Sequence, residues 1–417
     1  MEQKKIVIIG GGVIGLCAAY FLQKDGHSVT LIEQKELGFG SSTGNAGLIV
    51  PSHFVPLAAP GAIAQGMKWM FDAESPFYIK PRLDLELLDW LWKFRGACTA
   101  AHVKKSRDLL LKLHLSSKQL FGEISQSENI DFGLTKRGLL MLCNTDSGWH
   151  ELEELVEQGQ QMGLDCRMMT APEVHEMDET VQTSAKGGAY FPEDAHIDPG
   201  KFLTEMTRLL RENGVEIHTG VSATGFAIDK GMVTAARTNR GDFRADEFLI
   251  TGGAFSPIIA KQLRLKLPIQ PGKGYSVTIK PGGKMLQTPL ILEEARVAVT
   301  PMGDKLRFAG TMELGGLDFN INQRRVNAIL KAIPRYLPEV DLSEVDSVEP
   351  WAGLRPVSPD GLPYIGKISR YKNVLVAAGH AMIGISLAPE TGKLVADLTT
   401  NRSPEIDISA LAVERFS

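Results

Sequence analysis

"KIVIIGGGVIGLCAAYFLQKDGHSVTLIE", residues 5–33, is the stretch whose reading decides the fold. Residues 6–22 carry no charge, and three readings compete: a secretory signal, a membrane anchor, or the first turn of a nucleotide-binding unit. A signal sequence needs small residues for cleavage after its apolar run. Here the run ends in Phe21-Leu22-Gln23-Lys24-Asp25. A membrane span needs about 20 apolar residues, and consecutive glycines weaken it. The third reading accounts for each residue. Lys5 to Ile9 reads as a short buried parallel strand, Gly10 to Gly15 as G-x-G-x-x-G, and Val13 to Lys24 as a helix closed by Gly26. Val29 to Ile32 is a second strand ending in Glu33. Gly10 permits the tight turn, Gly12 lets the backbone approach a pyrophosphate, and Gly15 lets helix and strand pack closely. The helix N-terminus, with about half a positive charge, faces the phosphates. Glu33 is placed to accept hydrogen bonds from ribose hydroxyls, which argues against a 2′-phosphate and so against NADP. This much does not separate NAD from FAD.

The 417 residues suit two or three domains rather than one core, and 43% hydrophobic with 23% charged residues is the balance of a globular protein. A net charge of −4 offers no field for nucleic acid. Cys17, Cys98, Cys143 and Cys166 are widely spaced, which suits a reducing compartment better than a disulfide framework. No His/Cys spacing typical of a metal site occurs. Further on, Asp198 reads as an N-cap with Pro199 at N1 of a helix that Gly214 closes. Residues 100–128 form a long helical pattern. Strand patterns follow between 215 and 250 and between 275 and 312. A last strand, residues 373–378, runs into Gly379-His380 and a further helix. The mixed order implies two domains interleaved along the chain.

Five segments together resemble a known family: GGGVIG (10–15) with Glu33, SSTGNAGLI (41–49), TGGA (251–254), GLRPVSPDGLPYIG (353–366) and AAGHAMIGISLAPETG (377–392). The chain is similar over nearly its whole length to the FAD-dependent oxidoreductases of the D-amino-acid oxidase and glycine oxidase superfamily, and within it to the bacterial D-amino-acid dehydrogenases. The resemblance implies an α/β fold with a Rossmann-like FAD-binding domain (1–60, 150–262, 352–417). A smaller α+β substrate domain on an antiparallel sheet (61–149, 263–351) would be interleaved with it. It implies that Gly10, Gly12, Val13, Ile14, Gly15, Glu33, Gln34 and Lys35 hold the adenosine and pyrophosphate side of FAD. Ser41, Ser42, Asn45, Ala46, Gly47 and Leu48 would lie along pyrophosphate and flavin. Val221 would flank the adenine, while Gly252, Gly253 and Gly353 would let the backbone pass close. Gly379, Met382, Ile383, Gly384 and Ile385 would wrap the pyrimidine end of the ring.

The same resemblance places Arg355 over the flavin, gripping a substrate carboxylate, a task that suits the rigid guanidinium fork. Tyr275 either shares that carboxylate or packs in the core. His53 either shapes the substrate site or is structural. His380 supports the flavin loop. Glycine-oxidase-like sequences carry arginine two residues after the last Gly-His; this chain has Met382. The implied reaction is oxidation of a D-amino acid, of D-proline type among others, by hydride transfer from Cα to flavin N5. Positioning supplies much of the acceleration, so no general base is required. Electrons would pass to a quinone or protein acceptor. The alternatives are an oxidase of glycine- or sarcosine-like amines or 2-hydroxy acids, and a flavin subunit serving an electron-transfer partner. The segment 66–95, rich in Trp, Met and Phe, reads equally as a lid or as a peripheral contact on the inner face of a bacterial membrane. The expected compartment is the cytoplasm.

Overall fold

The structure is a computed structural model, and it describes residues 2–416 apart from residues 71, 73, 283 and 284. Among the described residues the opening stretch folds as its pattern dictates. Lys5–Ile9 is a strand, Val13–Lys24 a helix and Ser28–Glu33 the next strand, paired in parallel with the first. Four of the five residues in the first strand are buried, because helices cover both faces of such a sheet. The six-stranded sheet runs in the order 364–367, 374–378, 247–250, 5–9, 28–33, 216–219. All its pairs are parallel except the edge strand Tyr364–Lys367. Strands from both ends of the chain therefore lie side by side, as interleaving requires. The long C-terminal helix Gly384–Thr399 packs on Val13–Lys24 beneath this sheet, with Gly392 backed against the Cys17 carbonyl.

A second, nine-stranded sheet is mainly antiparallel. Its spine is Trp351–Val357, Gln270–Ile279, Lys305–Leu314 and Val297–Met302, hydrogen-bonded in that order. The strands Arg167–Thr170 and Gly187–Phe191 also belong to it, paired through Leu139–Cys143. That differs from the expected grouping of 150–262 with the first sheet. Residues 187–191 read G-G-A-Y-F, whose two glycines let a neighbouring backbone approach, a feature that pattern alone does not assign to either sheet.

The segment after residue 60 forms the helices Ala62–Met70 and Leu85–Ala97 with the strand Phe77–Ile79 between them; residues 71 and 73 lie outside the described residues. Phe77–Ile79 joins the second sheet, pairing in parallel with Met312–Leu314. Arg325 secures it, donating to the Ser75 carbonyl (2.8 Å) and lying over the Tyr78 ring. Trp90 is buried and donates through Nε1 to the Val357 carbonyl (2.9 Å). The segment is thus a built-in cover, although its outer face is apolar. Met67 is 60% exposed, Leu85 84% and Trp92 72%. No described helix is long and apolar enough to cross a membrane.

Candidate active site

The helix Val13–Lys24 begins at Gly12 with no side-chain cap from that residue, so apart from Val13 its first-turn N–H groups are open to an anion. Gly10 has φ +121°, and a Cβ there would lie 2.6 Å from the Thr251 carbonyl oxygen. A Cβ at Gly15 would overlap the Gly10 carbonyl, so this glycine serves helix–strand packing. Glu33 is held by two backbone donors, Gly11 N–H (2.8 Å) and Lys35 N–H (2.9 Å), which fixes its carboxylate at the strand end. A cavity of about 170 Å³ lies here, lined by Gly10, Gly12, Glu33, Gln34 and Ser42. Val221, Gly252 and Gly253 close it from other elements. Val13 and Ile14 are buried behind it, the Val13 N–H donating to Ser42 Oγ (3.2 Å). The Lys35 side chain does not join the group: its ammonium rests over the Phe39 ring.

Ser41 lines this cavity and also a larger one of about 950 Å³ between the two sheets. Asn45, Ala46 and Leu48 line the larger cavity on one side, Met382 and Ile383 on another, Gly353 and Arg355 on a third. Gly47 (φ +75°) and Gly379 (φ +82°) shape the backbone of those loops without lining it. Gly384 starts the C-terminal helix and Ile385 is core. Gly44 and Gly353 both press on Trp351, whose indole any Cβ at either position would overlap.

Arg355 lines this cavity with guanidinium donors to spare. Its Nη1 donates to the Thr311 carbonyl (2.7 Å), and its guanidinium lies flat on Gly274, where a Cβ would overlap it. Burial alone pushes the guanidinium down to about 10, and among the described residues no carboxylate pairs with it. A desolvated cation without a protein counter-ion, facing a cavity, is a receptor for an anion. Tyr275 is committed elsewhere. Its ring borders the cavity, but its hydroxyl donates to Glu313 (3.1 Å), beside Lys273 and Arg325. Burial, then Glu313, pushes that phenol up, so it remains a neutral donor. His53 lines the cavity, with Nδ1 3.1 Å from Ser52 Oγ. Burial, aided by Arg296, lowers it to about 4, which keeps it neutral. His380 is buried with Nε2 3.0 Å from Thr391 Oγ1, tying the loop before the C-terminal helix to that helix.

Some residues of the site leave little trace in the sequence. Thr311 holds φ +65°, costly for a β-branched residue, and a register shift at Lys273/Tyr275 faces it. That irregularity turns the Thr311 carbonyl onto Arg355. Arg307 donates to the carbonyls of Thr43 (3.1 Å) and Asn45 (2.6 Å), and Ser276 to that of Gly44 (2.9 Å). Three consecutive carbonyls of the 41–48 loop are thus gripped from the second sheet. Gly272 and Gly274 lie inside the strand Gln270–Ile279, which begins earlier than the pattern from 275 indicates, and glycines within a strand are the signal for a close approach.

Fold and site together define a dinucleotide-binding protein whose larger cavity shares Ser41 as a wall with the groove. The sequence matches the family described as FAD dependent oxidoreductase (DAO) over residues 5–398, and the chain belongs to that family. It is 32% identical over 421 residues to a D-amino acid dehydrogenase of Paramagnetospirillum magneticum, covering 99% of each chain. It is 30% identical over 420 residues to one of Granulibacter bethesdensis, covering 99% of this chain and all of the relative. In architecture it resembles glycine oxidase from Geobacillus kaustophilus, with a TM-score of 0.79 at 23% identity over the full length of both chains. The cofactor is FAD. The uncapped helix, the glycine cradle and the two cavities that share Ser41 as a wall fit it.

Proposed function

We propose that the chain oxidises D-amino acids at Cα to imino acids, which water converts to 2-oxo acids and ammonia. The observation that carries this is Arg355, desolvated, held by the Thr311 carbonyl and free to take a carboxylate in a cavity that shares Ser41 with the dinucleotide groove. Bound FAD supplies a two-electron acceptor. The protein's own part is positional: Arg355 fixes the carboxylate by a two-pronged hydrogen bond, and the Gly274 surface sets how deep the guanidinium sits. The 41–48 loop, clamped by Arg307 and Ser276, fixes the opposite wall. The D configuration is supported by the relatives of about 30% identity over the full length. The test is anaerobic addition of D- and L-amino acids to the FAD-loaded protein, read as bleaching of the flavin band. Bleaching by D enantiomers is expected; bleaching only by glycine, sarcosine or 2-hydroxy acids overturns the assignment.

A second reading concerns the electron acceptor. Ile63, Met67 and Met70 line the cavity mouth, and Leu83, Leu85, Leu88 and Trp92 are exposed on the same cover. We propose that this face rests on a bilayer and admits a quinone, since apolar side chains beside Lys and Arg suit an interface. Liposome co-sedimentation tests it, and recovery of all the protein in the supernatant contradicts it.

A further inference from the structure

The amino acid reaching Arg355 is a zwitterion, and an ammonium group has no lone pair with which to expel a hydride. Its proton must leave first. The cavity wall carries a route for it. Ser52 Oγ lies 2.5 Å from Asp194 Oδ2, the Ser52 N–H donates to Asp194 Oδ1 (3.0 Å), and His53 Nδ1 lies 3.1 Å from the same Ser52 Oγ. With the Ser52 hydroxyl donating to Asp194, His53 Nδ1 carries the hydrogen that Ser52 accepts. Nε2 is then left with a lone pair and, among the described residues, no protein partner. Both Ser52 and His53 line the cavity, whereas Asp194 is fully buried.

We propose that His53, Ser52 and Asp194 form a proton relay that neutralises the substrate's ammonium group. The inference rests on the amino-acid reading above. The substrate N–H bond breaks as His53 Nε2 gains the proton; Nδ1 releases its own to Ser52 Oγ; and the former Ser52 hydroxyl proton goes to Asp194. One positive charge is lost at the substrate and one negative charge at Asp194, so no electron leaves its pair. Burial, opposed by the Ser52 hydrogen bonds and by Lys118, raises Asp194 to about 7, a suitable resting place for a proton at neutral pH. Around Asp194 stand Lys118, itself paired to Glu193 at 2.6 Å, and Cys166. Around His53 stand Arg296 and His114. Arg296 disfavours a resting imidazolium, so the ring passes the proton on.

The test is the pH profile of single-turnover flavin reduction by a D-amino acid in the wild type, Asp194→Asn and Ser52→Ala. A companion infrared titration follows the Asp194 carboxyl. In the wild type, reduction should rise through about pH 7 to a plateau, and the protonated-carboxyl band should vanish over the same interval. Both variants should lose about 10²-fold at neutral pH and converge on the wild type near pH 10, where the substrate amine is already neutral. Equal loss at every pH, an unchanged profile, or no wild-type carboxyl band overturns the relay. A wild type that no D-amino acid reduces at any pH overturns the functional reading first and the relay with it.

Discussion

Arg355 is expensive to bury and, among the described residues, has no counter-ion of its own. Removing it should therefore damage substrate handling far more than folding. Arg355→Ala should lower kcat/KM by about 2–5 kcal/mol, the range for losing one partner of a desolvated charge pair. FAD content should be retained. Steady-state kinetics beside flavin absorbance checks this, and near-normal kinetics contradicts it. Arg355→Lys should rescue little, because an ammonium lacks the two-pronged geometry. Gly274→Ala should mimic the damage by direct contact, since the new methyl occupies the space of the guanidinium. A loss of about 10²-fold in kcat/KM is expected from such a displacement. Arg355 was legible because its Leu-Arg-Pro context matches a family pattern. Thr311 was not: its role is a backbone carbonyl turned by positive φ, and nothing in a threonine's identity announces that.

Among the elements, the 41–48 loop shows how the two sheets cooperate. Its glycines let it pass close to the groove, but its shape is imposed from outside by Arg307 and Ser276. Arg307→Ala removes charge-assisted bonds to two carbonyls, each worth about 1.5–3 kcal/mol. FAD should bind at least about tenfold more weakly, read by flavin fluorescence titration, and proteases should cut the loop faster. An unchanged dissociation constant would mean the loop holds itself. The cover helices make a separate prediction. Leu83→Ser with Trp92→Ser should abolish liposome binding without changing the melting temperature, because both side chains are largely exposed. Periodicity and caps made the helices Val13–Lys24 and Pro199–Glu212 readable in advance; Asp198 does accept from Gly200 and Lys201 N–H. Sheet membership was harder, because Arg167–Thr170 and Gly187–Phe191 are short and meet their partners only in three dimensions.

At the scale of the whole molecule, buried titratable groups set a pH optimum. Burial lowers His53 to about 4 and both His114 and His380 to about 3, against an ordinary value near 6.5. Below about pH 6.5 the unfolded chain binds protons that the folded one refuses, so their stabilisation, full above that pH, is lost on the way down. Asp194 has the opposite sign. Raised to about 7, its contribution is full below its unfolded value of about 3.9 and is lost as pH rises through 7. Thermal melts should hold near neutrality and fall on the acid side, where the three histidines outweigh Asp194. Asp194→Asn should steepen that fall between about pH 4 and 7 and leave the alkaline side unchanged. The interleaved topology, with residues 5–9 and 374–378 in one sheet, makes cofactor groove and core a single structure. FAD should accordingly raise the melting temperature of the whole chain in one transition. The account turns on where a substrate carboxylate sits, and the most direct measurement is a crystal structure of the FAD complex soaked with a 2-oxo acid product. It should show the carboxylate in two parallel hydrogen bonds to Arg355, between the second sheet and the flavin. A carboxylate bound elsewhere, with Arg355 still on the Thr311 carbonyl and empty-handed, would contradict it.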